Sequence, residues 1–330
     1  MSDPRAQARN AFLATTDWAH TSFTALTGDA SARRYFRADQ QAPAILMDAP
    51  RQSCGSMQPF VDMARHLSSL GLSAPSIFAA DLTNGFILLE DFRDDDFASL
   101  IDSDPQLENS LYSSAIDVIH TVLDAPPAQV PDYGISDMAR ACDLAFLHYA
   151  PQPHTIVDEA LATIEDALSP FKSELRTSLR DFHAQNLHWL PSRSGVARVG
   201  LLDFQDAVNT LPSYDLVSLL RDVRRDVSDD LAHKARKDFA IRRGLDHDGF
   251  QDEFHLVAVQ RNLRILGIFA RLSKEMGKPG YVDLIPRVWN LLQADLAHPP
   301  LTKLRTQLNA ILPEPDTAYL ERLRQPCPTP

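Results

Sequence analysis

Short apolar and basic-aromatic runs, bounded by turn residues, predict β-strands in the first ninety residues. Helical periodicity predicts two helices in the same region, over residues 10–26 and 57–70. Thr83-Asn84-Gly85 is a turn sequence that predicts a hairpin between the strands on either side of it. The region therefore indicates a small, mainly antiparallel sheet, whose predicted strands are the basic-aromatic run through Phe36 and residues 44–50, 76–81 and 86–91.

Helical periodicity dominates the chain after residue 92. One hairpin interrupts the helices, formed by the strand-like run NLHWL, the turn PSRSG and the run VARVGLLDF. The pattern predicts an α+β protein of two lobes, with a sheet lobe over residues 1–92 and a mostly helical lobe over residues 93–330. The predicted helices of the second lobe are 105–123, 137–149, 154–169, 214–226, 229–243, 248–276, 281–296 and 299–312.

Composition narrows the function classes. The chain has 330 residues and a formal net charge of −12, which disfavours a nucleic-acid partner because phosphate backbones need a basic surface. Neither a membrane-spanning run nor a signal peptide is predicted, so a cytoplasmic monomer with no membrane partner is the default expectation. Three widely separated cysteines predict neither a zinc cluster nor a disulfide framework.

Polar side chains with oxygen atoms flank the predicted hairpin. Asp181 and Asn186 stand five positions apart before its first arm, and Asp203 follows its second arm. Since a hairpin returns the chain on itself, we expect Asp203 to lie close to Asn186, with Asp181 one loop earlier. Mg²⁺ prefers such hard oxygen ligands, and phosphoryl transfer needs both the metal and a group beside the acceptor hydroxyl. The alternative interpretation is that these are turn and cap residues, a common use of Asp and Asn.

Five segments together carry a resemblance to a known family. LTGDASARRYFR, FILLEDF, LRDFHAQN, LLDFQDA and PSYDLVSLLRD, between about residues 26 and 225, resemble the aminoglycoside phosphotransferase family. Within it they are most similar to the anomeric sugar kinases that act on N-acetylmuramate and N-acetylglucosamine in bacterial cell-wall recycling. The resemblance implies a protein-kinase-like fold, ATP and Mg²⁺ as cofactors, and transfer of the γ-phosphate to a hydroxyl of a small-molecule sugar.

The resemblance also implies roles for individual residues. Asp181 would be the general base, and His183 would brace the catalytic loop. Asn186 and Asp203 would bind Mg²⁺. The hinge beside the adenine would be Glu90, Asp91 and Phe92, and the loop over the ATP phosphates would be Gly28, Asp29, Ala30 and Ser31.

Three positions leave alternatives open. Asp215 matches an acidic residue that is structural in the family, and a carboxylate favoured by the helix dipole is the preferred interpretation. Gln205 and Asp206 either contact the sugar or cap the next segment. The acidic run Asp94-Asp95-Asp96 either binds a cationic substrate or forms a solvated loop or helix start.

The chain departs from the family at the phosphate-binding lysine. Kinase-like folds place a lysine on the third strand, where this chain has Met47, and its first lysine is Lys172. Either another cation holds the phosphates or ATP binds weakly or not at all. We take Arg34 in SARRYFR as the preferred substitute, because arginine suits bidentate phosphate contacts. A kinase for another small alcohol or an aminoglycoside, and a non-catalytic nucleotide-binding module, remain the alternative functions.

Overall fold

A computed structural model describes residues 3, 5–26, 32–39 and 43–325. Contacts divide the chain into two compact units. The sheet unit comprises Met1–Ala128 and Gln185–Ala207, and the helical unit comprises Gln129–Ala184 and Val208–Pro330. The predicted boundary between the two lobes, at residue 92, stays a prediction.

The described residues form strands as far as Thr210 and helices between Ala6 and Arg324. The strands are β1 Phe23–Ala25, β2 Arg34–Ala38, β3 Ala44–Asp48, β4 Ile77–Asp81, β5 Phe86–Glu90, β6 Arg176–Ser178, β7 Leu187–Trp189, β8 Val199–Leu201 and β9 Val208–Thr210. The helices are α1 Ala6–Leu13, α2 Arg51–Cys54, α3 Gln58–Ser69, α4 Phe97–Ser103, α5 Glu108–Asp124, α6 Ile135–Arg140, α7 His154–Leu168, α8 Tyr214–Leu220, α9 Asp229–Arg243, α10 His247–Lys274, α11 Ile285–Leu296, α12 Thr302–Ile311 and α13 Thr317–Arg324.

The sheet unit is built on five antiparallel strands in the order β1-β2-β3-β5-β4. Every second side chain of the three central strands points to the same face of the sheet. That face is buried, and α1 packs against it. Phe12 of α1 stacks on Phe86 of β5 with ring centroids 5.7 Å apart. The opposite face carries the cross-strand partners Tyr35, Met47 and Ile87. The predicted antiparallel sheet and its β4–β5 hairpin are confirmed.

The predicted helix over residues 10–26 is wrong beyond Leu13. Helix α1 ends at Leu13, where the hydroxyls of Thr15 and Thr16 donate to the carbonyls of Phe12 and Leu13. Strand β1 then pairs Phe23 with Ala38 at the edge of the sheet. The apolar residues of this segment satisfy either a helical or a strand period over so short a run, and pairing with β2 decides between them.

The helical unit surrounds the long helix α10, which contacts α7, α8, α9, α11 and α13. Helix α9 has the predicted bounds, whereas α8 ends at Leu220, six residues before the predicted end. Asp222 forms a turn there, since its carboxylate accepts a hydrogen bond from the amide of Arg224. None of the described helices combines the length and the apolar character needed to cross a membrane.

Candidate active site

The β7–β8 hairpin brings Asn186 and Asp203 to the same end of two paired strands. Leu187 pairs with Leu201, and the amide of Leu202 donates to the carbonyl of Asn186 at 3.0 Å. Asp203 follows directly, so the predicted proximity of these two positions is confirmed at the level of the backbone. Gly200 is required in the second strand, because a Cβ there would lie 2.7 Å from the ring of Phe92.

The chain turns sharply at Asp203. Its φ of 57° lies in the left-handed region that non-glycine residues rarely occupy, and such strain is concentrated at functional sites. The next residue fixes the turn, since Phe204 is fully buried and stacks on Phe60 of α3 with ring centroids 5.0 Å apart. The side-chain amide of Gln205 donates to Asp203 at 2.8 Å and to Asp206 at 3.1 Å. Gln205 therefore orients the Asp203 carboxylate, while its predicted contact with a sugar stays a prediction.

Asn186 and Asp203 form a donor set that suits Mg²⁺. They supply one amide oxygen and one carboxylate, the hard ligands that this cation takes alongside substrate phosphates. Within the described part of the chain, no three His, Cys, Asp or Glu side chains are grouped so as to hold a metal ion alone. The residues present thus fit a cation shared with phosphate oxygens better than a site made of protein ligands only.

Asp181 belongs to the helical unit, where the loop before it is held by Asp215. The carboxylate of Asp215 accepts hydrogen bonds from the Ser178 hydroxyl at 2.6 Å, the Leu179 amide at 2.7 Å and the Arg180 amide at 2.9 Å. Burial raises the pKa of Asp215, and these three donors oppose the rise. The preferred sequence interpretation, a carboxylate in the first turn of a helix, describes its position in α8 but misses its partners.

The residue before Asp181 is fixed from three sides. Arg180 has a left-handed φ of 72°, and its carbonyl accepts hydrogen bonds from Ser218 at 3.1 Å and Arg261 at 3.3 Å. Its guanidinium lies 5.3 Å from the ring centroid of Tyr133. Because Arg180 can scarcely move, the direction in which Asp181 leaves the loop is set by packing. Burial lowers the pKa of nearby His183, and its role as a brace stays a prediction.

Replacing Asp215 by Ala should weaken both folding and any reaction that uses Asp181. The substitution removes the acceptor of the Ser178 hydroxyl and the Leu179 amide, and it leaves the Arg180 amide with the Ser178 oxygen alone, so we expect the free energy of unfolding to fall by about 3 kcal/mol. Chemical denaturation measures that loss, and kcat should fall at least about tenfold because the loop is no longer fixed.

Asp230→Asn is the matched control, since that carboxylate is exposed in the first turn of α9. If Asp215→Ala does not fold, Asp215→Asn retains the shape of the side chain and can be measured instead. If a folded Asp215 variant has the stability and the kcat of the wild type, Asp215 does not hold the loop before Asp181.

The candidate nucleotide-binding residues are only partly described. Gly28, Asp29, Ala30 and Ser31 lie outside the described residues. Glu90, Asp91 and Phe92 follow β5 and are held by side-chain contacts. Glu90 pairs with Arg193 and accepts from Ser76 at 3.0 Å, and the buried Asp91 pairs with Arg37 at 3.0 Å. These contacts fix the segment, and its role as the adenine hinge stays a prediction.

The acidic run that follows Phe92 leads into helix α4. Asp96 is the N-cap of α4, where its carboxylate accepts from the Ser99 amide at 3.0 Å. Asp94 pairs with Arg37 at 2.8 Å. The helix-start alternative is therefore confirmed for Asp96.

Comparison with known proteins gives one family match. The model of the phosphotransferase enzyme family matches residues 22–248. An N-acetylmuramate/N-acetylglucosamine kinase of Caulobacter vibrioides is 35% identical, with 95% of this chain and 98% of that protein covered. A protein of the same name from Pseudomonas putida is 30% identical, with 84% of this chain and 85% of that protein covered.

A solved structure bears on the fold. Aminoglycoside phosphotransferase APH(3'')-Id from Streptomyces rimosus, in complex with ADP and streptomycin, has a TM-score of 0.53 at 18% identity. The superposition covers 77% of this chain and 98% of that chain. The α+β, kinase-like fold predicted from the sequence is confirmed.

Proposed function

Because the chain belongs to the phosphotransferase enzyme family, we propose that it transfers the γ-phosphate of ATP to the anomeric hydroxyl of N-acetylmuramate or N-acetylglucosamine. The observation that carries the proposal is the 35% identity to a kinase of that name across 95% of this chain and 98% of the relative. Identity to the aminoglycoside enzyme is 18%, which supports a shared fold and not a shared acceptor. The enzyme would act as a cytoplasmic monomer on a small-molecule sugar.

The chemistry assigns one role to each candidate residue. Asp181 accepts the proton of the acceptor hydroxyl while that oxygen forms a bond to the γ-phosphorus, and the bond from phosphorus to the leaving ADP oxygen breaks. Mg²⁺ held by Asn186 and Asp203 would neutralise charge on the phosphate oxygens. Gln205 keeps the Asp203 carboxylate oriented, as its hydrogen bond of 2.8 Å supports. Asp215 holds the loop that ends at Asp181 through three hydrogen bonds.

The wild-type chain should convert N-acetylmuramate and N-acetylglucosamine to sugar 1-phosphates when supplied with Mg·ATP. ³¹P NMR of the reaction follows the loss of the γ-phosphate signal and the appearance of the phosphomonoester. A matched substrate, the methyl glycoside of N-acetylglucosamine, has no free anomeric hydroxyl and should give no product. Phosphorylation of that glycoside would show transfer to a different hydroxyl and would contradict the anomeric assignment.

A panel of other acceptors separates the alternative functions. Choline, homoserine and streptomycin should remain unchanged under conditions in which the amino sugars react. Turnover of one of them in place of the amino sugars would select a different small-molecule kinase. Binding of ATP with no turnover of any acceptor would select a non-catalytic nucleotide-binding module. Repeating the assay with GTP identifies the donor, for which we expect ATP.

A further inference from the structure

Two of the three arginines around β2 form ion pairs with buried carboxylates of the sheet unit. Arg34 contacts Asp48 at 2.6 Å and Asp3 at 3.0 Å. Asp48 is fully buried and also pairs with Arg5 at 2.7 Å, so both guanidinium groups compensate its charge in the folded protein. Arg37 contacts Asp91 at 3.0 Å, as part of the segment after β5. The interpretation that Arg34 holds the nucleotide phosphates therefore competes with a structural role that its contacts already explain.

Arg33 has different surroundings. Its guanidinium Nη1 lies 3.6 Å from Oδ1 of Asp203, and its side chain is 14% exposed. Arg33 also lies beside Tyr35, two residues later in the chain, because burial raises the pKa of the Tyr35 hydroxyl and the positive charge of Arg33 opposes that rise. A partly buried tyrosine and the candidate magnesium ligand thus both lie close to this guanidinium. The position is set by the sheet unit alone, since all three residues belong to it.

The same face of the sheet lacks the lysine that kinase-like folds use. Tyr35 pairs across the strands with Met47 of β3, which is apolar and 1% exposed. The chain has no lysine before Lys172, so β3 offers no cation to the phosphates. Arg33 supplies one from the start of the neighbouring strand, next to the carboxylate that would share a cation with those phosphates.

We propose that Arg33 binds the phosphates of the nucleotide and replaces the missing lysine of β3. The inference rests on the proposed function for the identity of the ligand, and on the contacts with Asp203 and Tyr35 for the choice of residue. A guanidinium is always charged and presents parallel donors, so it can contact two phosphate oxygens where a lysine contacts one. Asp203 and Arg33 then act on the same anionic group, one through the cation and one directly.

The test is the binding of nucleotides of different charge to Arg33→Gln. Isothermal titration calorimetry with ADP, in the absence of Mg²⁺, should give a Kd at least about tenfold higher than that of the wild type. Adenosine carries no phosphate, so its Kd should be unchanged by the substitution. Arg33→Lys keeps the charge and should recover part of the affinity for ADP. In the kinase assay the Michaelis constant for ATP should rise more than kcat falls.

Two variants serve as controls for this measurement. Arg65→Gln removes an exposed arginine of α3 and should leave both Kd values unchanged. Arg34→Gln should lower the thermal midpoint, because it removes one of the two guanidinium groups that lie closest to the buried Asp48, without a selective loss of ADP over adenosine.

The outcomes distinguish this inference from the proposed function. The role of Arg33 alone is overturned if the wild-type chain phosphorylates an amino sugar and folded Arg33→Gln binds ADP with an affinity within twofold of the wild type. Equal weakening of ADP and adenosine in Arg33→Gln also overturns it, because a phosphate contact cannot affect adenosine. If the wild-type chain binds no adenine nucleotide, the inference and the proposed function are both overturned.

Discussion

Asp181→Asn should reduce kcat by about a thousandfold and leave the Kd for ADP unchanged. The substitution removes the group proposed to take the proton of the acceptor hydroxyl, and general-base catalysis contributes about 10²–10⁴ to a rate. Asparagine has nearly the same shape, so the hydrogen bonds that hold Leu179 and Arg180 to Asp215 should persist. Steady-state kinetics with saturating sugar and ATP measure kcat, and calorimetry with ADP measures the binding that should survive.

The comparison needs a variant with the same loss of charge elsewhere in the helical unit. Asp166→Asn provides it, since that carboxylate is exposed on α7. Its kcat and Kd should both match those of the wild type. A fall of less than threefold in kcat for Asp181→Asn would exclude Asp181 as the base, even if the wild-type chain phosphorylates the sugar as proposed.

Local sequence patterns were sufficient to predict the hairpin that carries Asn186 and Asp203. Its arms, its turn and the Asp-Phe at its end lie within twenty residues of one another, so alternation and turn chemistry predict the pairing. The pairing of β4 with β5 is predictable for the same reason, because a short turn joins the two strands. The backbone contact between Leu202 and Asn186 follows directly from that register.

Contacts between distant positions could not be predicted in this way. Strand β6 pairs with β9 more than thirty residues later, and each has only three residues, too few for a period to be recognised. Asp215 reaches the loop at Ser178 only because those strands and α8 are brought together by folding. The sequence identifies Asp215 as acidic and N-terminal in a helix, which leaves its partners undetermined.

The preference for Arg34 as the phosphate-binding residue stays a prediction, and it competes with contacts that the sequence pattern did not reveal. Alternation along β2 separates Arg34 from its neighbours by face, but it does not reveal which face carries a buried carboxylate. Asp48, at the end of β3, is the cross-strand partner of Arg34 and pairs with it. A useful signal was present, since an acidic residue placed opposite an arginine in the predicted register indicates an ion pair. Arg33 differs from Arg34 in its partner, since its guanidinium lies 3.6 Å from the carboxylate of Asp203.

Asp203→Asn should lower kcat at least about a hundredfold and raise the Mg²⁺ concentration needed for half-maximal activity. A bound metal contributes several kcal/mol of charge stabilisation in the transition state, and asparagine keeps the ligand oxygen while removing the charge that holds the cation. The fold should be unaffected, because the introduced side chain still offers an oxygen to the Gln205 amide and the turn is held by the contact of Phe204 with Phe60. Titrating Mg²⁺ at saturating ATP and sugar measures the shift.

The exposed Asp102 of α4 gives the control, since Asp102→Asn removes one charge from the same unit and should alter neither kcat nor the Mg²⁺ requirement. The response to metal also separates Asp203 from Asp181. Excess Mg²⁺ should restore part of the activity of Asp203→Asn, because a weakened site can be filled by mass action, whereas it should restore none to Asp181→Asn. If the two variants respond identically to added Mg²⁺, Asp203 is not a ligand of the cation, and its contact with Arg33 at 3.6 Å must serve the fold instead.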